Sequence, residues 1–131
     1  MDRFWEDAVA RGDAAVIRDL LARGADPDAR DRHGQTALMR AARQGHAELV
    51  RALIEAGAAL DVAAKYGLSA LMLAAVNGRE ETARALARAG ADRSLRGSGA
   101  PGFAGRTAAD LARDRGLEAL AAELEPSSTT D

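Results

Sequence analysis

A chain of 131 residues is the size of one domain, and a hydrophobic share of 47% beside an aromatic share of 3% calls for a core of small and aliphatic side chains. The charged 29% sums to −2, which argues against wholesale attraction to nucleic acid or an anionic membrane and leaves any charge-driven binding to local patches. With no cysteine there is no disulfide framework, no thiolate nucleophile and no cysteine-ligated metal.

Asp2, Glu6, Asp7 and Asp13 fall where a secretory signal would need a positive start and an apolar run, so none is expected. No uncharged stretch approaches the roughly 20 residues needed to cross a bilayer. The expected location is the cytoplasm. Arginine outnumbers lysine 17 to 1 beside 33 alanines, a usage that suggests a GC-rich, bacterial genome.

The chain opens with a predicted helix around Phe4-Trp5. From there glycines recur with one period: Gly12, Gly45 and Gly78 are 33 apart, as are Gly24, Gly57 and Gly90, and Gly34 and Gly67 form a third set. In that register Gly34-Gln35-Thr36-Ala37-Leu38-Met39-Arg40-Ala41-Ala42 returns as Gly67-Leu68-Ser69-Ala70-Leu71-Met72-Leu73-Ala74-Ala75, and Leu53-Ile54-Glu55-Ala56-Gly57-Ala58 returns as Leu86-Ala87-Arg88-Ala89-Gly90-Ala91. Each unit predicts two short helices. Thr36 and Ser69 supply N-caps for the first, with Leu38, Ala41 and Ala42 at helical spacing. Gly45 or Gly78 breaks the chain. The second helix turns Leu49, Val50, Leu53 and Ile54, or Thr82, Ala83, Leu86 and Ala87, inward and stops at Gly57 or Gly90. Trp5 falls in register with Leu38 and Leu71, which predicts a core role for it.

The last unit is displaced by five residues, since Gly105 lies 38 after Gly67 and Gly116 lies 38 after Gly78. The extra chain lies within Gly97–Ala104 and contains Phe103, which either anchors a contact loop or folds back over the final helix pair. Thr107-Ala108-Ala109-Asp110 approximates a capping box, and Arg113, Asp114 and Glu118 give this unit the polar surface a terminal repeat needs. Pro126 to Asp131 is expected to be a disordered tail.

These features together resemble the ankyrin repeat, with its 33-residue period, its glycine before a Thr-Pro-Leu-His-type motif and its Gly-Ala after the second helix. The resemblance covers residues 1 to about 125. It implies an all-α solenoid of about four helix-turn-helix repeats (about 1–30, 31–63, 64–96 and 97–125) forming one domain with adapted ends. The tetratricopeptide repeat, of similar period, lacks support because its large aromatic positions are missing. Two departures stand out: Ala37 and Ala70 replace the motif's proline, and Met39 and Met72 replace its histidine. The family's histidine network is therefore expected to be absent, which calls the rigidity of the loops into question.

Catalytic and cofactor chemistry finds little material. A zinc site needs about four ligands, and the histidines are only His33, in a loop, and His46, whose expected role is packing and capping. Ser69 is a cap rather than a nucleophile, and Asp26, Asp28, Asp31 and Asp61 are expected to form turns through side-chain to backbone hydrogen bonds. No phosphate-binding glycine motif is present. No catalytic residue, metal or cofactor is predicted.

The resemblance implies that partners dock on the loop tips and the exposed side of each first helix. In register these are Arg11; Arg32, His33, Gln35, Arg40, Arg43 and Gln44; Lys65, Tyr66, Leu68, Leu73, Val76 and Asn77; and Arg106, Asp114 and Arg115. This set is basic, whereas Glu48, Glu55, Glu80 and Glu81 fall on second helices. The expected function is binding of a partner protein through a basic groove that takes an acidic segment, with Tyr66 as anchor, Leu68 and Val76 as floor, and Phe103 as a second contact. A solitary binder of this kind would act as a single-partner inhibitor or immunity-type factor; the alternative is a regulatory or assembly subunit bridging a larger complex. A free monomer is expected, without membrane or nucleic-acid partners.

Overall fold

Apolar residues at three- and four-residue spacing, interrupted by glycine, fold into eight α-helices among residues 3–126, the part of the chain that the computed structural model describes. They are α1 (Arg3–Arg11), α2 (Ala14–Ala22), α3 (Ala37–Gln44), α4 (Ala47–Glu55), α5 (Ala70–Val76), α6 (Glu80–Arg88), α7 (Ala108–Asp114) and α8 (Glu118–Leu124). Consecutive helices pack as pairs; α1, α3, α5 and α7 then stack in one layer and α2, α4, α6 and α8 in the other. The result is an all-helical solenoid. Among the described residues there is no strand, only two isolated bridges, Arg30 with Thr36 and Gly97 with Ala104. Residues 127–131, where most of the expected tail falls, lie outside the described residues.

The predicted caps explain where the first-layer helices begin. Thr36, Ser69 and Thr107 are buried, and each hydroxyl accepts the amide three residues on, from Met39, Met72 and Asp110. Asp110 returns the bond, its carboxylate accepting from Thr107 N at 3.1 Å, which completes a capping box. This pairing holds the Asp110 carboxyl below its ordinary range. The interior between the layers is built from alanine: Ala41, Ala42, Ala74, Ala75, Ala109 and Ala112 are fully buried, so neighbouring backbones approach closely. Trp5 is buried, as its register requires, and Met39 and Met72 are buried where the family's motif carries histidine.

Gly45 ends α3 in the left-handed region, at φ 78°, and its bare Cα makes room for the next pair. A Cβ there would come within 2.8 Å of Arg79 Cδ. Arg79 Nε donates to the Arg43 carbonyl at 3.0 Å, and Arg115 repeats the device one pair on by donating to the Val76 carbonyl at 3.2 Å. Cations of one pair thus close the negative helix end of the pair before it. His46 occupies the N-cap position of α4 but makes no side-chain cap bond; its Nε2 lies 2.9 Å from Gln44 Oε1. The expected capping role is corrected to one of packing, because the imidazole lies against Gly12 of the first pair.

The aspartates tie loops in two different ways. Asp26 accepts from Asp28 N at 2.8 Å and Asp31 from His33 N at 2.8 Å, the turn bonds expected of them. Asp28 and Asp61 depart from that expectation: Asp28 accepts from Ala59 N and Asp61 from Asp92 N, both at 2.8 Å, so each carboxylate crosses from one repeat to the next. These bonds lock the loops that lack the histidine network. On the second layer Arg18, Arg51 and Arg84, one period apart, reach Glu48, Glu81 and Glu123 of the following pair. These pairs neutralise much of that face; Arg88 of α6 is exposed without an ion pair among the described residues.

Asp28→Ala and Asp61→Ala should each lower the unfolding free energy by at most about 1 kcal/mol, because both hydrogen bonds are exposed to solvent. Urea denaturation followed by circular dichroism would measure this. Stability should also decline in acid. The depressed Asp110 carboxyl stabilises the fold above its unfolded pKa, and that contribution disappears as pH falls through its lower folded value.

Candidate functional site

The loops and the first-layer helices enclose two adjoining depressions. The first, of about 650 Å³, is lined by Glu6 from α1, by Asp31, Arg32, His33 and Gln35 from the loop before α3, and by Arg40, Arg43 and Gln44 from α3. Arg40 does not present a free cation there, because its guanidinium lies 2.5 Å from Glu6 Oε1. The other Glu6 oxygen is buried and has no hydrogen-bond partner among the described residues. Partial burial works to raise the Asp31 carboxyl. The amides of Gln35 and His33, with the charge of Arg40, outweigh it and hold Asp31 below the usual carboxylate range. Arg32 is exposed, Arg43 half-buried, and neither makes an ion pair among the described residues.

The second depression, of about 160 Å³, is lined by Gln35 and Arg43 again, together with Ala64, Lys65, Tyr66, Leu68 and Leu73. Leu68 and Leu73 form a floor that is only 6% and 8% exposed, whereas Tyr66 stands 38% exposed at the rim. Lys65 Nζ sits 5.0 Å from the centre of the Tyr66 ring, within cation–π range.

Tyr66 has unusual backbone for a bulky residue, φ 62° and ψ 17°, in the short 3₁₀ turn Lys65–Gly67. In the preceding repeat the same turn is closed by the Asp31 carboxylate, which accepts from both His33 N and Gln35 N; Ala64 stands in the register position of Asp31 and has no such acceptor. A left-handed tyrosine costs roughly 1–2 kcal/mol. The insertion offsets it. Ser98 N donates to the Tyr66 carbonyl at 2.7 Å, and Phe103 packs on the Tyr66 ring with centroids 5.6 Å apart. The inserted loop is itself well tied: Gly97 N donates to Arg106 O at 2.9 Å, Gly105 N to Gly97 O at 3.0 Å, and Arg96 to Gly105 O at 2.6 Å. At Gly97 a Cβ would lie 2.4 Å from the Phe103 carbonyl, so only glycine fits.

The structure therefore brings together Arg32, His33, Gln35, Arg40, Arg43, Gln44, Lys65, Tyr66, Leu68 and Leu73, all expected from register. The remaining expected residues do not line these depressions. Arg11 lies 3.7 Å from Asp13, and Arg106 pairs with Asp114 at 3.4 Å. Asn77 donates to Leu73 O at 2.8 Å, Val76 is half-buried, and Arg115 is engaged at the end of α5. Phe103 is partly buried, packing on the Tyr66 ring of the preceding loop and against the core, so it is not the exposed anchor that was one of the two alternatives considered for it. Register reasoning overlooked Glu6 and Asp31. A signal for Glu6 existed, since it falls 33 residues before the buried Met39 and so places an acid beneath the loops, next to Arg40.

Stacked two-helix repeats with a cleft along their first helices and loops define the class of repeat solenoids that bind along one face. The family model for ankyrin repeats, in three copies, matches residues 6–96, and the chain belongs to the ankyrin-repeat family. No individual curated protein matches it. Ankyrin repeats serve as protein–protein interaction modules and are typically not enzymes. Among the described residues no group of histidine and carboxylate side chains is placed to hold a metal ion, and no helix is long and apolar enough to cross a membrane.

A double-mutant cycle between Tyr66→Gly and Phe103→Ala should give a coupling of about 1 kcal/mol, the scale of an aromatic pair, in thermal or urea unfolding. In NMR titration the Gln35 amide shift should report the Asp31 carboxyl titrating at a pH below its ordinary value of 3.8.

Proposed function

We propose that the chain binds an acidic segment of a partner protein across the two joined depressions, acting as one domain of four repeats. The observation that carries this is the charge difference between the two layers. On the second layer the arginines at one-period spacing are consumed by glutamates of the next pair. On the first layer Arg32 and Arg43 face a cleft without ion pairs among the described residues, beside an apolar floor and an exposed tyrosine. Unpaired arginine and a rim tyrosine are the side chains that dominate interface energies.

The same contrast favours a single-partner binder, such as an inhibitor, over a subunit that bridges a larger complex. A bridge needs a second receptive face, and on the second layer the recurring arginines are already taken by ion pairs, leaving Arg88 at the end of α6 as an exposed arginine without one among the described residues.

The test begins with the partner recovered by co-purification from the native organism and identified by mass spectrometry. Calorimetric titration should then give a 1:1 complex weakened at least tenfold by Arg43→Glu combined with Tyr66→Ala, and unaffected by Arg88→Glu on α6. An affinity unchanged in the double variant would overturn the assignment of this face.

A further inference from the structure

The two depressions differ in chemistry and share a boundary, which limits what a ligand lying across both can be. In the first, Arg32, Arg40 and Arg43 stand against the carboxylates of Glu6 and Asp31, leaving a single net positive charge with histidine neutral. Arg40 is already committed to Glu6, so the attraction comes from Arg32 and Arg43 near the mouth. One ligand carboxylate is matched by that charge. A run of acids is not, because Glu6 and Asp31 would repel the further charges.

The second depression takes a different group. Its floor is Leu68 and Leu73, its side Ala64, and its rim the Tyr66 ring. About 160 Å³ is close to the roughly 150 Å³ that holds a benzene-sized guest in an apolar protein cavity. A single leucine, isoleucine or phenylalanine side chain is therefore the occupant that fits. Lys65, drawn over the Tyr66 ring, keeps its charge at the rim and away from the floor.

The spacing between these two groups follows from the helices beneath them. Arg40, Arg43 and Gln44 lie on α3, and Leu73 lies on α5, its packed neighbour in the same layer. Packed helices are separated by about 8–10 Å, and an extended chain advances about 3.3 Å per residue. Two or three residues span the distance. Gln35 and Arg43 line both depressions; Arg43 stands at their boundary, and the Gln35 side-chain amide can donate to and accept from the intervening peptide backbone.

We infer that this face recognises an extended peptide segment carrying one aspartate or glutamate two or three residues from one large apolar residue, the acid at Arg32 and Arg43 and the apolar side chain on Leu68, Leu73 and Tyr66. This rests on the docking face proposed above and adds to it the composition and spacing of the ligand.

A displayed library of random-sequence peptides, selected on the full-length protein, tests it. Enriched peptides should share the acid and apolar pair at that spacing. In titrations with a synthetic enriched peptide, replacing its acid by the matching amide, or its apolar residue by alanine, should each weaken binding about tenfold. The acid's effect should vanish in Arg43→Gln and the apolar residue's in Tyr66→Gly, a change that the left-handed backbone accepts. Circular dichroism checks that both variants fold. Enriched peptides that are polyacidic, lack the apolar residue and lose binding in Arg43→Gln would overturn the inference while leaving the docking face in place. Binding that survives both variants undiminished would overturn the inference and the face together. A library with no enriched sequence would also overturn the inference.

Discussion

Each helix pair in this chain has an apolar face that it cannot cover by itself. Alanine predominates where pairs meet, so the first-layer helices approach closely and bury Leu38, Met39, Leu71 and Met72 between them. Everything else that repeats at 33 residues serves that stacking. The hydroxyl caps start the helices at the same level, and the glycines that end them leave space for a side chain from the next pair. The aspartates at 28 and 61 fasten one loop to the next by the same bond, shifted by one period. Stability in such a stack is shared between neighbours rather than held in one central core.

Stacking also separates the two layers chemically. Once arginine recurs at 18, 51 and 84 on the second helices, translation by one repeat carries each guanidinium toward a glutamate of the following pair. Exposed pairs of this kind contribute little to stability individually, but they remove the charge of that face from the competition for partners. The first layer follows a different rule. Its helices are short, its exposed positions vary between repeats, and its loops hold polar groups at fixed height above an apolar floor.

The longer connection before the last helix pair shows how an irregularity is absorbed. Five extra residues would ordinarily loosen a stack, yet Gly97–Gly105 folds into a tied loop that returns to the preceding loop. There it supports Tyr66, whose left-handed backbone is the main local departure from repeat geometry. Strain is tolerated where surrounding contacts over-determine it, and here a hydrogen bond and an aromatic contact fix a residue at the rim of the cleft.

Most of the architecture was legible in the sequence, because helix caps, glycine stops and apolar spacing are local signals and the period repeats them in register. Thr36, Ser69 and Thr107 began helices where expected, and the buried place of Trp5 followed from Leu38 and Leu71 alone. Register also named most residues of the cleft, since it determines which side of a helix each one shares. It did not determine their partners. That Arg40 would be taken by Glu6, that Asp28 and Asp61 would cross between repeats, and that Phe103 would pack on Tyr66 depend on contacts between residues about thirty or more positions apart. Sequence periodicity decided the elements, their order and their facing, all of which depend on neighbours along the chain. Tertiary packing alone decided which charges on the binding face remain unpaired, because that depends on neighbours in space.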